Sequence, residues 1–480
     1  MNPGWERFCQ TVAARGDHPA VLMGDVTVSF AELGAMARRY AGALASRGVG
    51  HGDRVILRLT NGPAAAALPA AIWAVGGVPV LVPLDLGSAE LHEIAARTQP
   101  VAVLEGPPEV SGADFGGGAT GGYGSVVFTS GSTGRPKGVV QRQETLLDGA
   151  ARVAAAVGFD GDDRLLSAVP WSHDYGWTQL LAMYVLGLTL VLPAVPGVVG
   201  LPEAVERHRV TVIGGVPSVY AGLTRGVSDI RARDMASVRV VMSTGSLMPH
   251  RVWDDLGALF AGARRVLNYG LTETFRSATL RAGDEGYAPG VVGSALPGSG
   301  LCVVDAAGHV LPAGQWGEVV HRGAGVFEFY WDDPEQTALR RRVDPVTGQG
   351  FAVWTGDLGC LDDQGRLTLG DRIDRVVKVM GLSASPLKVE QVLRAVPGVE
   401  AAAVVCRAHE MLGAELHAFV VGGEVRAVAA ACRAGLAAHE RPRKVHVVAA
   451  LPLTASGKVD LVALQRMVEG RPRADGDNDI

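Results

Sequence analysis

Cysteine is scarce and scattered. The 480 residues contain five (Cys9, Cys302, Cys360, Cys406 and Cys432), an odd number with no pair at metal-ligand spacing. A disulfide framework and a cysteine-built zinc site are both excluded, and reduced thiols in a cytoplasmic protein are expected. A basic excess is also lacking. Forty-four Lys and Arg against 49 Asp and Glu leave a net charge of −5, so neither nucleic acid nor an anionic membrane is expected as a partner. No long unbroken apolar run occurs. Ala64 to Leu84 is interrupted by Pro69, Gly76, Gly77, Pro79 and Pro83. Leu180 to Pro193 falls short of the ~20 residues that a spanning helix needs. The opening "MNPGWERFCQ" has neither the basic start nor the apolar run of a signal peptide.

What is present is apolar and alternating. Hydrophobic residues make up 48% of the chain, ample for a large core divided among ~3 domains or subdomains. Phe30 to Val49 has helical periodicity and runs out at a glycine suited to end a helix, and "DRVILRL" follows as a strand. Each interrupted apolar stretch reads as a buried helix running into a buried strand. Val238 to Gly245 and Ala263 to Glu273 each read as a buried strand emptying into a polar loop, the place where open α/β sheets hold ligands. Glu109 to Gly124 is Gly-rich and reads as a surface loop. After Gly370 the texture changes to helix and short strands, a small α+β module of about 110 residues. The closing "EGRPRADGDNDI" reads as disordered.

"FTSGSTGRPKGVV", Phe128 to Val140, packs glycines, small hydroxyls and two cations after a short apolar run. It is not a Walker loop. Gly131 and Gly134 are three apart, Pro136 offers no N–H, and Gly138 stands where that loop has Ser or Thr. Glycines that let backbone amides approach an anion, with hydroxyl donors and Lys137, still suit a phosphate grip of another kind. By composition alone, a polar hairpin loop is the competing reading.

"TSGSTGRPKG" resembles the signature loop of the acyl-adenylate-forming superfamily, which includes acyl-CoA synthetases, peptide-synthetase adenylation domains and luciferases. Further motifs stand in that family's order. "NYGLTET" (Asn268 to Thr274) is similar to its Y-G-x-T-E and "WTGDLG" (Trp354 to Gly359) to its T-G-D. "DRIDRVVKVMG" (Asp371 to Gly381) resembles its hinge motif, and "PLTASGKVD" (Pro452 to Asp460) its C-terminal P-x-T-x-[ST]-G-K. The resemblance runs from about Phe30 to Leu464. It implies an α/β fold: a large N-terminal domain of stacked α/β sheets, residues 1–373, and a small mobile α+β C-terminal domain, residues 374–468, followed by a tail, 469–480.

The resemblance also implies roles. Thr129, Ser130, Gly131, Ser132, Thr133, Gly134 and Lys137 would hold the β- and γ-phosphates of ATP. Tyr269 would offer its face to adenine, with Asn268, Gly270, Gly245 and Ser246 beside the base. Thr272 would touch the α-phosphate, and Glu273 would supply an oxygen ligand for Mg²⁺. Asp357 would accept from the ribose hydroxyls, reinforced by Arg372. Lys458 would bridge the reacting carboxylate and the α-phosphate, where charge builds in the transition state. Asp374 falls at the hinge. Two positions depart from the pattern: Asp371 replaces a glycine, and Lys388 replaces the first glutamate of S-P-x-E-V-E while Glu390 keeps the last.

"VPWSHDYGWTQLL" (Val169 to Leu181) aligns with the acyl-site motif. His173 and Gly176 fit the pattern of acyl-CoA synthetases. Asp174 falls where amino-acid adenylation domains hold the substrate ammonium, and "SHDY" is similar to the H-N-Y of aryl-acid enzymes. A buried aspartate against a plain alkyl or phenyl pocket is costly unless paired. The expected substrate is therefore a small carboxylic acid bearing an amino or hydroxyl group, aryl or small amino acid; the competing reading pairs Asp174 with protein groups. Tyr220 and Met248 are candidate pocket walls. The expected reaction is formation of acyl-AMP from acid and Mg·ATP. Transfer to the pantetheine thiol of coenzyme A or of a free-standing carrier protein would follow, no carrier being expected in the chain. A nitrogen nucleophile as acceptor and a non-catalytic nucleotide-binding scaffold are the alternatives.

Overall fold

The computed structural model describes residues 2–109, 115, 121–129, 136–225, 228–281, 287–288, 290–409, 411–454 and 458–469. Most of the Gly-rich loop and the tail from residue 470 therefore lie outside the described residues. Local signals act as read. The helix Phe30–Ser46 opens on a reciprocal cap, Ser29 Oγ accepting from Glu32 N–H while the Glu32 carboxylate accepts from Ser29 N–H. It ends just before Gly48, whose φ of +82° reverses the chain. The two broken apolar stretches form the helix Pro63–Ala74 with the strand Val78–Leu81, and the helix Asp174–Leu186 with the strand Thr189–Leu192. Both helices are apolar on every side and both are buried.

The larger sheet has six parallel strands at its centre, in the spatial order Pro19–Met23, Thr189–Leu192, Arg164–Ser167, Val212–Gly215, Val240–Ser243 and Arg264–Tyr269. It continues antiparallel through Ala278–Arg281, Val291–Ala295, Arg366–Arg372, Phe351–Leu361, Trp316–Gly323 and Ser299–Val304. A second sheet carries the parallel strands Arg54–Leu57, Val78–Leu81 and Tyr123–Thr129, with Lys137–Arg142 returning antiparallel. One core joins the two sheets. Leu57, Leu81 and Val127 of the second sheet and Leu165, Leu190 and Val240 of the first share it with Trp73, Trp177 and Tyr184 of the intervening helices. Trp73 meets Trp177 and Tyr184 edge-on, at 6.0 and 5.9 Å between centroids.

The chain leaves the large sheet after Arg372. Beyond it, the strands Val399–His409, Gly413–Gly422 and Lys444–Val447 form a separate sheet. The helices Pro386–Arg394, Val425–Gly435 and Leu461–Glu469 lie with this sheet around cores of their own. The fold is thus α/β in the large N-terminal domain and α+β in the C-terminal one. Among the described residues, no helix is long and apolar enough to cross a membrane.

Candidate active site

The carboxyl ends of the central parallel strands open toward one region. Val240–Ser243 empties into Thr244, Gly245 and Ser246. Gly245 holds φ at +92°, and it and Ser246 are exposed. Arg264–Tyr269 empties into Gly270 and the short turn Thr272–Thr274. Tyr269 keeps its ring among Val292, Val319 and Leu367, and its hydroxyl donates to Asp357 Oδ2 at 2.7 Å. Asp357 and Arg372 face each other across paired strands, and Arg372 Nη1 donates to Asp357 Oδ1 at 3.1 Å. Burial pushes the Asp357 carboxyl upward, and the Arg372 charge opposes that. Arg372 Nε donates to Asp374 at 3.0 Å, so the hinge candidate is tied to the same guanidinium.

A second charged group lies beside the first. Glu273 Oε1 accepts from the Tyr330 hydroxyl, and Gln141 Nε2 donates to the Thr272 carbonyl at 3.2 Å. Lys137 Nζ donates to Gln336 Oε1 at 2.7 Å and lies 5.4 Å from the centre of the Tyr330 ring. Burial lowers the Lys137 pKa, and Arg340 lowers it further while Glu273 raises it. Thr129 and Lys137 are cross-strand partners at the mouth of the hairpin loop. Ser130, Gly131, Ser132, Thr133 and Gly134 lie outside the described residues.

Lys458 comes from the C-terminal domain. Thr454 N–H donates to the Lys458 carbonyl at 2.8 Å, and the Lys458 side chain reaches the N-terminal domain. Its Cε sits 3.5 Å from where a Gly245 Cβ would be. By accessible area the Lys458 side chain is exposed, yet protein groups surround it closely. Burial lowers its pKa, and Asp174, Asp357 and Glu273 raise it while Arg372 lowers it. One ammonium therefore feels the candidate acyl-site carboxylate, the candidate ribose carboxylate and the candidate metal carboxylate together.

On the acyl side, Asn61 fixes the segment before the helix Asp174–Leu186. Its Nδ2 donates to the Val169 carbonyl at 2.8 Å and its Oδ1 accepts from Trp171 N–H at 2.9 Å. Gly176 is required, since a Cβ there would meet the Pro170 carbonyl oxygen at 2.1 Å. His173 stands at the N-cap position without a side-chain cap bond; its Nε2 is buried with no partner among the described residues, and burial lowers its pKa. Asp174 follows in the first turn, with Oδ1 buried and without a partner among the described residues. Burial raises its pKa to about 6, with Arg276 and Lys458 pulling it down and Glu273 pushing it up. Asn268 O accepts from Thr244 Oγ1 at 2.8 Å and its Oδ1 from Thr279 at 2.8 Å, while its Nδ2 is buried with no acceptor among the described residues. Tyr220 and Met248 belong to a different core, with Ile213, Val241 and Trp253. Tyr220 is fully buried and its hydroxyl donates to the Met242 carbonyl at 2.6 Å, so it ties strands together instead of standing open as a pocket wall.

Sequence reading missed Arg276. Only 2% exposed, it donates from Nη1 to Thr244 Oγ1 at 2.8 Å and lies 5.5 Å from the centre of the Tyr175 ring. A three-residue turn aims it there. Phe275 has φ +58° and ψ −61°, and Arg276 N–H donates to the Thr274 carbonyl at 2.6 Å. This is a γ-turn of the rare positive-φ kind, strained by ~1–3 kcal/mol for a residue with a side chain. It is held by the Phe275 ring, wedged against Gly149, where a Cβ would stand 2.6 Å from the ring. Gly270 accommodates the returning chain, since its Cβ would lie 2.9 Å from Arg276 Cα. The one signal in the sequence was a charged residue set in an otherwise small and apolar run, "FRSATL".

Both departures from the motif pattern are built in. The buried Asp371 carboxylate accepts from Leu387 N–H at 2.6 Å and Ser385 Oγ at 3.0 Å, capping the helix Pro386–Arg394, and it pairs with Arg375 at 3.4 Å. Lys388 pairs with the buried Glu440 at 2.6 Å. Glu390 accepts from Arg375 at 2.8 Å, Arg394 at 3.0 Å and Val404 N–H at 3.0 Å.

Comparison with known proteins places this arrangement. The AMP-binding enzyme family matches residues 8–114 and 125–331, and its C-terminal domain family matches residues 388–458. The chain belongs to this family of acyl-adenylate-forming proteins and is an AMP-forming ligase. It is 31% identical over 390 residues to a 3-[(3aS,4S,7aS)-7a-methyl-1,5-dioxo-octahydro-1H-inden-4-yl]propanoyl:CoA ligase of Mycobacterium tuberculosis, covering 79% of this chain and 70% of that one. Among solved structures, ATP-bound MatB from Rhodopseudomonas palustris superposes with a TM-score of 0.85 at 26% identity, covering 97% of this chain and 99% of that one. The amide bond synthetase McbA from Marinactinospora thermotolerans superposes at 0.86 with 25% identity, covering 97% and 100%.

Proposed function

We propose that the protein condenses a small carboxylic acid with ATP to acyl-AMP and pyrophosphate, then passes the acyl group to the thiol of coenzyme A. One observation carries this: the Lys458 side chain, delivered by the C-terminal domain, reaches Gly245 at the strand ends, where the charges of Asp174, Asp357 and Glu273 all act on its ammonium. In that reading an oxygen of the acid attacks the α-phosphorus, the bond to the bridging oxygen of pyrophosphate breaks, and pyrophosphate leaves. Both reactants are anions, so an ammonium held between them offsets the charge that builds as they meet. Asp357 and Arg372 take the ribose, Tyr269, Asn268, Gly270, Gly245 and Ser246 surround the base, and the Thr272 hydroxyl takes the α-phosphate. Thr129, the loop 130–134 and Lys137 hold the outer phosphates. Glu273 fits a divalent ion, since Tyr330 engages only Oε1 and leaves Oε2 for a hard cation. Mg²⁺ bound there supplies charge neutralisation to the phosphates. We divide the chain at residues 373 and 374, where it leaves the large sheet beside Asp374.

The buried, unpartnered Asp174 Oδ1 supports an acid bearing an amino or hydroxyl donor. The likeness to acyl-CoA ligases supports coenzyme A as acceptor; a free-standing carrier offers the same thiol. A second reading, transfer to an amine, is favoured by the likeness to an amide bond synthetase and by Asp371. That side chain ties the end of the last large-sheet strand to the C-terminal domain. Acid-dependent ATP–pyrophosphate exchange without any thiol tests adenylation, and absence of exchange with every acid tried contradicts it. Acceptor identity is read from turnover. Stimulation by coenzyme A supports the thioester reading, whereas stimulation by amines alone supports the second.

A further inference from the structure

The edge of Arg276 is the most informative unassigned feature of the site. Among the described residues, only Nη1 of its three guanidinium nitrogens has a partner, the Thr244 hydroxyl. Nε and Nη2 are buried and bond to nothing among the described residues. These two share one side of the guanidinium, and their N–H bonds point in parallel, the fork that clasps a carboxylate through both oxygens. Tyr175 stands against the guanidinium, 5.5 Å from its ring centre. Asp174 is near enough for the two charges to interact, yet it forms no ion pair with Arg276, and its Oδ1 has no partner among the described residues. A buried cation with two idle donors is costly, because protein has displaced water without replacing its hydrogen bonds. The fold also accepts a strained turn at Phe275 to place this side chain.

We infer that the acid substrate carries a second carboxylate, which Arg276 clasps side-on through Nε–H and Nη2–H while the reacting carboxylate lies at Lys458. This rests on the adenylation reading above. Asp174 then accepts from a donor borne between the two carboxylates, so an amino dicarboxylic acid satisfies every idle polar atom of the pair. The charges balance as well: Asp174 answers an ammonium and Arg276 answers the distal carboxylate. A purely apolar tail would leave both groups desolvated and unmatched.

The test is acid-dependent ATP–pyrophosphate exchange by the full-length protein over matched pairs. These are aspartate against 2-aminobutanoate, glutamate against norvaline, succinate against butanoate, and isophthalate against 3-methylbenzoate. The wild-type protein is expected to favour at least one dicarboxylate over its methyl-ended partner by about 100-fold or more in kcat/KM. Arg276→Gln is expected to bring that ratio within about tenfold, and Arg276→Lys, which keeps charge but not the fork, to lower it as well. Equal use of both partners, or preference for the methyl-ended acid, overturns the inference while adenylation stands. Exchange with none of the acids counts against adenylation itself and takes the inference with it. Since Arg276 is buried and its variants can fail to fold, the wild-type ratios decide the matter without them.

Discussion

Replacing Asp174 by asparagine is expected to stabilise the protein, and to do so only at neutral and alkaline pH. The carboxyl is enclosed, and burial raises its pKa from 3.8 to about 6. The difference, about 6 minus 3.8, is ~2.2 units, which at 1.36 kcal/mol per unit is ~3 kcal/mol. The folded chain holds this proton more tightly than the unfolded chain. The group's favourable contribution is therefore complete below pH 3.8 and is lost as the pH rises through about 6. Above that range the wild-type protein keeps a buried charge that only Arg276 and Lys458 offset. The substituted side chain has no charge to ionise, so its amide costs the same at every pH. Urea unfolding of both proteins between about pH 4.5 and 8 should show a stability gap that widens by ~2 kcal/mol toward high pH, the rest of the loss falling below about pH 4.5. A gap that stays constant across the range, or one that narrows toward high pH, refutes the reasoning.

Other substitutions probe separate parts of the site. Asp371→Ala removes a helix cap and a buried ion-pair partner together, and is expected to cost about 2 kcal/mol or more, read by thermal unfolding. Lys388→Glu would set a carboxylate against Glu440, which now holds the lysine at 2.6 Å, and should lower stability less in high salt than in low salt. Gly149→Ala drives a methyl into the Phe275 ring and should displace the turn that aims Arg276. Its exchange kcat/KM should fall by about tenfold or more with the fold retained by circular dichroism. An unchanged value would show that the turn does not position the site. Asp174→Asn should also erase any preference for an amino-bearing acid over its plain analogue, measured in the same exchange assay.

The fold was legible where chemistry is local. The Ser29–Glu32 cap and Gly48 bound one helix, and Gly76, Gly77 and Gly187 divide the apolar stretches into helix and strand, whereas Pro69 and Pro79 lie inside the elements. Long-range pairing was not legible. Nothing near Val291 announces that its strand pairs with Arg366–Arg372, since that register depends on the twist and closure of the whole sheet. Within the site, residues inside contiguous motifs could be picked out by resemblance. Arg276 could not, because its role depends on a γ-turn at Phe275, a residue type that rarely holds positive φ. Tyr220 is a candidate pocket wall by sequence, but its hydroxyl finds carbonyls of the core strands, and satisfaction of a buried polar group is a tertiary property. Asp371 stood out as a departure from a pattern, and only the folded chain shows its carboxylate at the N-terminus of Pro386–Arg394.

The central claim is that the C-terminal domain delivers Lys458 as the charge that joins acid and α-phosphate. Acid-dependent ATP–pyrophosphate exchange by the wild-type protein and by Lys458→Ala, with ATP binding measured on both, tests it most directly. The account predicts exchange by the wild-type protein, a loss of about 100-fold or more in the variant, and ATP affinity within about tenfold. Exchange by Lys458→Ala at the wild-type rate would contradict it.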